Sequence, residues 1–216
     1  MLARRLVFPL CLLVGPLLVI VAGTLHPDLV GDGAAQLTTI AQCRAWRAIH
    51  WTFLFSFPLA LTGLVGLARM HAGSTGENAV RAGTIVGTFA YSAWTVIVAF
   101  MAGAGWSLAQ AFTLADPGMT ATRAVFLFDM VHPFALVTQR VAGFALGLST
   151  CLFAWGVSDG KVLPRWLGTA GLAAGAVAIA FALVFREDTK ADQAAFVLPV
   201  LWQVVTGSVM LRPARG

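Results

Sequence analysis

"HWTFLFSFPLALTGLVGLAR", residues 50–69, is an apolar run whose only full charge is the terminal Arg69. Crossing about 30 Å of hydrocarbon takes roughly 20 apolar residues in a helix that rises 1.5 Å per residue. The run has that length. It shows no period-two alternation and is too long for a strand, so it reads as a membrane-spanning helix. Five more segments follow the same pattern: 6–25, about 82–105, about 134–156, 164–185 and about 193–211. The expected fold is therefore all-α. It is an integral membrane bundle of six transmembrane helices forming one domain, 1–216, with short interfacial helices on the outer side.

Composition supports that reading. The 216 residues are 59% hydrophobic and 11% charged. A soluble domain carries about 25% charged residues and about 45–50% apolar ones. Mean hydropathy is +0.84. The net charge of +5 comes from Lys and Arg placed mainly at segment ends. No basic run with interleaved aromatics occurs, so nucleic acid is not an expected partner. The start, "MLARRLVFPLCLLVGPLLVIVAGT", is basic and then apolar, but long, with two prolines and no clean small-x-small cleavage site. It reads as an uncleaved first span.

Loop charge sets the orientation. With the N-terminus inside, the inner face holds Arg4, Arg5, Arg69, Arg81, Lys161, Arg165, Arg212 and Arg215 against Glu77 and Asp159. The outer side holds Arg44, Arg47, Arg123, Arg140, Arg186 and Lys190 with Asp28, Asp32, Asp116, Asp129, Glu187, Asp188 and Asp192. The bias places both termini in the cytoplasm and the chain in a bacterial inner membrane.

Two outer connections are long enough to fold. In "DGAAQLTTIAQCRAW" (32–46), Leu37, Ile40 and Ala41 have helical spacing, and Asp32 with Gly33 can begin the helix. Residues 106–131 read as "WSLAQAF", the breaker "DPG", and an interfacial helix "MTATRAVFLFDMV". The proline of "VHPF" (131–134) then marks the seam with the fourth span, because a residue before proline avoids the helical region. "REDTKAD" (186–192) reads as a solvated hairpin loop, with Asp192 capping the sixth span. "GTIVG" (83–87), "GFALG" (143–147) and "GLAAG" (171–175) permit close helix approach. Cys11, Cys43 and Cys151 form no CxxC and predict no structural disulfide.

Few residues carry chemistry. No GxSxG, phosphate loop, dinucleotide glycine pattern or zinc-protease motif is present. His26, His50 and His132 all fall at the outer boundary, with Asp28 and Asp129 nearby. Imidazole and carboxylate there are metal ligands and proton carriers by type. The candidate metal set is His26, His50, Asp129 and His132. The candidate cofactor pair is His50 and His132. Span ends are also where an amphipathic histidine is least costly, so packing or capping stands beside the ligand role. His71, on the inner side, reads as an ordinary loop residue. Arg140 lies within the fourth span and needs a partner, for which Asp129, Glu187, Asp188 and Asp192 are the acids at hand. Gln139 and Gln203 can hydrogen-bond between helices.

"RAIHWTFLFSFPLALTG" (47–63) resembles the R-x-x-H-W opening of a helix in the bacterial membrane cytochrome b family. That resemblance implies haem binding at His50, with His132, or less readily His26, as its pair. The chain as a whole resembles small six-span bacterial membrane proteins, which implies no particular mechanism. The leading expectation is a non-catalytic accessory or assembly subunit, with the bilayer and membrane-protein subunits as partners. The alternatives are a redox or metal- or haem-binding protein using the outer histidines, and a membrane-embedded metal-dependent hydrolase.

Overall fold

The computed structural model describes the backbone of residues 2–114, 119–185 and 190–212, and the side chains of 6–114, 120–185 and 196–212. The described residues are helical, with no strand among them. The elements are α1 (Leu2–Leu25), α2 (Gly33–Gln42), α3 (Trp46–Met70), α4 (Glu77–Phe100), a π-turn (Met101–Gly105), α5 (Trp106–Leu114), α6 (Met119–Gly160), α7 (Arg165–Val184) and α8 (Lys190–Met210). Five stretches are long and apolar enough to cross a membrane: Leu6–Leu25, Trp46–Met70, Glu77–Leu114, Thr120–Gly160 and Arg165–Val184. The sixth expected span falls on α8, whose described apolar part, Phe196–Met210, is shorter than a span.

Small residues set the helix spacing. A methyl added at Gly175 of α7 would lie 2.5 Å from Cys151 Sγ and 2.6 Å from the Gly147 carbonyl of α6. One added at Gly83 of α4 would lie 2.9 Å from the Phe153 ring of α6. The glycine patterns are thus used inside the chain, bringing α4 and α7 onto opposite sides of α6. Over the resulting core pack Leu12, Phe57, Leu64, Leu67, Leu146, Phe153 and Leu167, all buried. Polar groups inside it are paired across helices. Tyr91 Oη donates to Gln203 Oε1 at 2.8 Å, Ser149 Oγ to the Gly83 carbonyl at 2.8 Å, and Trp202 Nε1 to the Leu167 carbonyl at 2.9 Å. In an apolar medium such groups have no water to turn to. Cys11, Cys43 and Cys151 are free.

A second, separate core lies at the His26 end of the bundle. It gathers Leu37 and Ile40 of α2, Trp46 of α3, Ile97 of α4, Met101 of the π-turn, Ala109 of α5 and Ala124, Phe128 and Ala135 of α6. The helix read into 32–46 forms as expected. Asp32 caps it by accepting from the Ala35 N–H at 2.9 Å, and Leu37 and Ile40 are fully buried.

Two expectations fail here. The third span does not stop near 105, because the π-turn joins α4 to α5 in one apolar stretch of 38 residues. Nor does "VHPF" mark a seam, because α6 runs through Pro133 as one helix of 42 residues. Proline removes a single backbone donor and crowds one preceding turn. Packing of Phe128 and Ala135 into the second core on either side outweighs that local penalty. The "DPG" breaker lies outside the described residues, as do residues 186–189 of the "REDTKAD" loop. α8 already begins at Lys190, which places Asp192 inside the helix; its side chain is not described.

At 1.5 Å per residue, α4 through α5 is about 57 Å long, and α6 about 63 Å. α7, with 20 residues, is about 30 Å, one hydrocarbon thickness. α6 therefore overshoots α7 by about half its own length, and α4 with α5 outruns α3 by about a third, toward the His26 end. α2 packs against that overshoot.

Candidate functional site

Three rings meet where the bundle ends. Trp46 and His50 are four residues apart on α3 and so share a face. Their ring centres are 4.2 Å apart. His26, just past α1, brings its ring to 5.0 Å from Trp46 and 5.2 Å from His50, the latter edge-on. Trp46 is fully buried and His50 is 3% exposed. Aromatic pairs in this distance range favour edge and offset contacts because the ring edge is positive and the face negative.

Backbone carbonyls fix the cluster. Trp46 Nε1 donates to the Met101 carbonyl at 2.9 Å, the first residue of the π-turn. His50 Nδ1 lies 2.8 Å from the Trp46 carbonyl. A carbonyl only accepts, so His50 carries a hydrogen on Nδ1, and in the neutral ring Nε2 holds the lone pair. Burial pushes the His26 imidazole below its ordinary pKa, while the Pro27 carbonyl and the Asp28 carboxylate work in the opposite direction. The first effect is the largest, so His26 favours the neutral form.

The remaining candidates are dispersed. His132, half-buried on α6, stacks on Phe128 one turn earlier, with ring centres 4.7 Å apart and planes at 18°. It makes no ring contact with His26 or His50 among the described residues. The Asp129 carboxylate rests on Gly33, where any side chain would overlap it. Gly33 opens α2, and a carboxylate near a helix N-terminus is favourable. The four-residue metal set is thus divided: His26 and His50 meet, while Asp129 faces α2 and His132 faces Phe128. Among the described residues, no group of three or more His, Cys, Asp or Glu is placed to hold a metal ion.

Arg140 and Gln203 also find partners that the sequence does not announce. Arg140 Nη2 donates to the Leu183 carbonyl at 2.9 Å, and its Nε to the Ala182 carbonyl. These are last-turn carbonyls of α7, unpaired within their own helix, and a cation there also complements the helix dipole. Asp129 is no partner for Arg140, since eleven residues separate them on one helix, about 16 Å. The side chains of Glu187, Asp188 and Asp192 are not described. Gln203 is fully buried and accepts from Tyr91. Gln139 is half-buried beside Arg140.

Sequence reasoning passed over three features. Trp46 lies near a span end, where tryptophan commonly marks the membrane interface; its W-x-x-x-H spacing to His50 is the mark of the cluster. The π-turn has only "MAGAG" to announce it. His71 is no ordinary loop residue, being fully buried, with Nδ1 2.9 Å from the Leu67 carbonyl and Nε2 without a hydrogen-bond partner among the described residues. No family model, curated protein or solved structure matches the chain.

Proposed function

We propose that the chain is a non-catalytic accessory or assembly subunit of a larger complex in a bacterial inner membrane, with six spans and both termini in the cytoplasm. α2, α5 and the first half of α6 then form an arm at the outer surface. The partner is a membrane protein that covers the apolar face of this arm.

One observation carries the reading. Arg140 bonds the last turn of α7, a helix as long as the hydrocarbon is thick, so Arg140 lies level with the bilayer edge. Phe134, Met130 and Phe126 lie roughly 9, 15 and 21 Å farther along α6. They are 63%, 65% and 62% exposed. They continue, at spacings of three and four residues, the lipid-facing row Val137, Val141 and Phe144. An apolar row that runs on past the lipid needs another cover. Among the described residues, Tyr91, Gln203, Ser149, Trp202 and Arg140 bond across helices within the bundle.

Purification in mild detergent tests this. The protein should carry a stoichiometric partner and migrate as a larger species on native electrophoresis. The Phe126→Glu/Met130→Glu double variant should lose the partner and keep its own thermal transition. A wild-type protein that purifies alone and runs as a single copy would count against the proposal.

A further inference from the structure

His26 and His50 come from different elements, both meet the buried Trp46 ring, and face each other edge-on at 5.2 Å. Packing alone would be served better by two phenylalanines, since a buried imidazole must lose the hydration of its polar nitrogens. His50 instead turns Nδ1 to the Trp46 carbonyl at 2.8 Å. Metal-binding histidines have this outer arrangement, in which a carbonyl holds one N–H and so orients the other nitrogen as a ligand. Two imidazoles sharing one tetrahedral ion, at metal–nitrogen distances of about 2.0–2.1 Å, place their ring centres roughly 5 Å apart. The observed spacing fits that value. The Asp28 carboxylate acts on His26 through its charge, which also favours a cation.

We infer that His26 and His50 form a two-histidine site for a divalent transition-metal ion of the zinc and copper class, seated on Trp46 at the His26 end of the bundle. Imidazole suits these metals. With two protein ligands, the ion keeps further positions for water or an incoming ligand. The site excludes His132 and Asp129, which the fold directs elsewhere. It is independent of the accessory role, since it does not touch the exposed row on α6.

Titration of the purified full-length protein with zinc chloride in a calorimeter tests the inference, with copper(II) spin resonance as the second readout. Wild type should bind one zinc ion per chain, and copper(II) should show coupling to two nitrogens. His26→Ala and His50→Phe should each weaken zinc by more than about tenfold, the size of effect that losing even an outer partner has. His132→Ala should bind as wild type does. His50→Phe keeps a ring beside Trp46. His26 lies outside α3, so His26→Ala still tests the site even if the His50 variant does not fold. No zinc or copper binding by the folded wild type would overturn the site. So would binding that survives both substitutions, or that disappears with His132→Ala.

Discussion

Trp46 shows how one side chain can join several elements. Its ring meets two histidines, and its N–H reaches across to the π-turn. Trp46→Phe keeps most of the ring and removes the side-chain N–H that reaches the Met101 carbonyl. The expected loss is about 0.5–1.5 kcal/mol, the net worth of one hydrogen bond, read from denaturant unfolding in detergent. An unchanged midpoint would mean that the bond contributes nothing. His26 gives a pH prediction. Its pKa lies below the ordinary 6.5 because of burial. As pH falls, the unfolded chain takes up the proton before the folded one does. The contribution is therefore fully present above about 6.5 and is lost as pH drops toward the lower folded value. His26→Gln should flatten the dependence of the melting temperature on pH in that acid window. Equal slopes in both proteins would refute this. The ring contacts themselves are only half legible in the sequence. His26 and His50 can be placed at one depth from span ends, but the choice between His26 and His132 as neighbour of His50 depends on helix azimuth, which no local pattern specifies.

At the scale of elements, spans and the capped helix α2 follow from run length and from Asp32 ahead of Leu37 and Ile40, because both are local properties. Pro133 misleads for the opposite reason. Its local effect is to end helices, yet tertiary packing carries α6 straight through it. The π-turn is similar: glycine and alanine permit it without demanding it, and the Trp46 bond that holds it comes from 55 residues away. The glycine patterns could not say whether they join helices of one chain or of two. They are occupied inside the chain, which fixes a prediction. Gly175→Val drives a branched side chain into Cys151 and the Gly147 carbonyl. Overpacking of this kind costs about 1–3 kcal/mol or more, and the melting temperature in detergent should fall accordingly. Gly103 has nothing within 4 Å of an added methyl, so Gly103→Ala serves as the tolerated control. Similar losses for both would show that α6 and α7 are not in close contact at Gly175.

At the scale of the molecule, α6 is about twice as long as α7, and α4 with α5 is about half as long again as α3, which the span-length rule alone would not foresee. That rule tells where apolar residues suffice to cross, not where they stop being lipid-facing. On the proposed reading, the bilayer edge lies level with Arg140 at the end of α7. Everything proposed for the arm depends on that level. The most direct test is a spin-label series on α6 at positions 126, 130, 134, 137, 141 and 144 in the reconstituted single chain, read by collision with oxygen and with a water-soluble nickel chelate. Labels at 141 and 144 should be oxygen-rich, and those at 134, 130 and 126 progressively open to nickel, with the crossover near 137. Oxygen-dominated labels at 126 and 130 would put the arm in hydrocarbon and leave the proposed partner with no exposed face to cover.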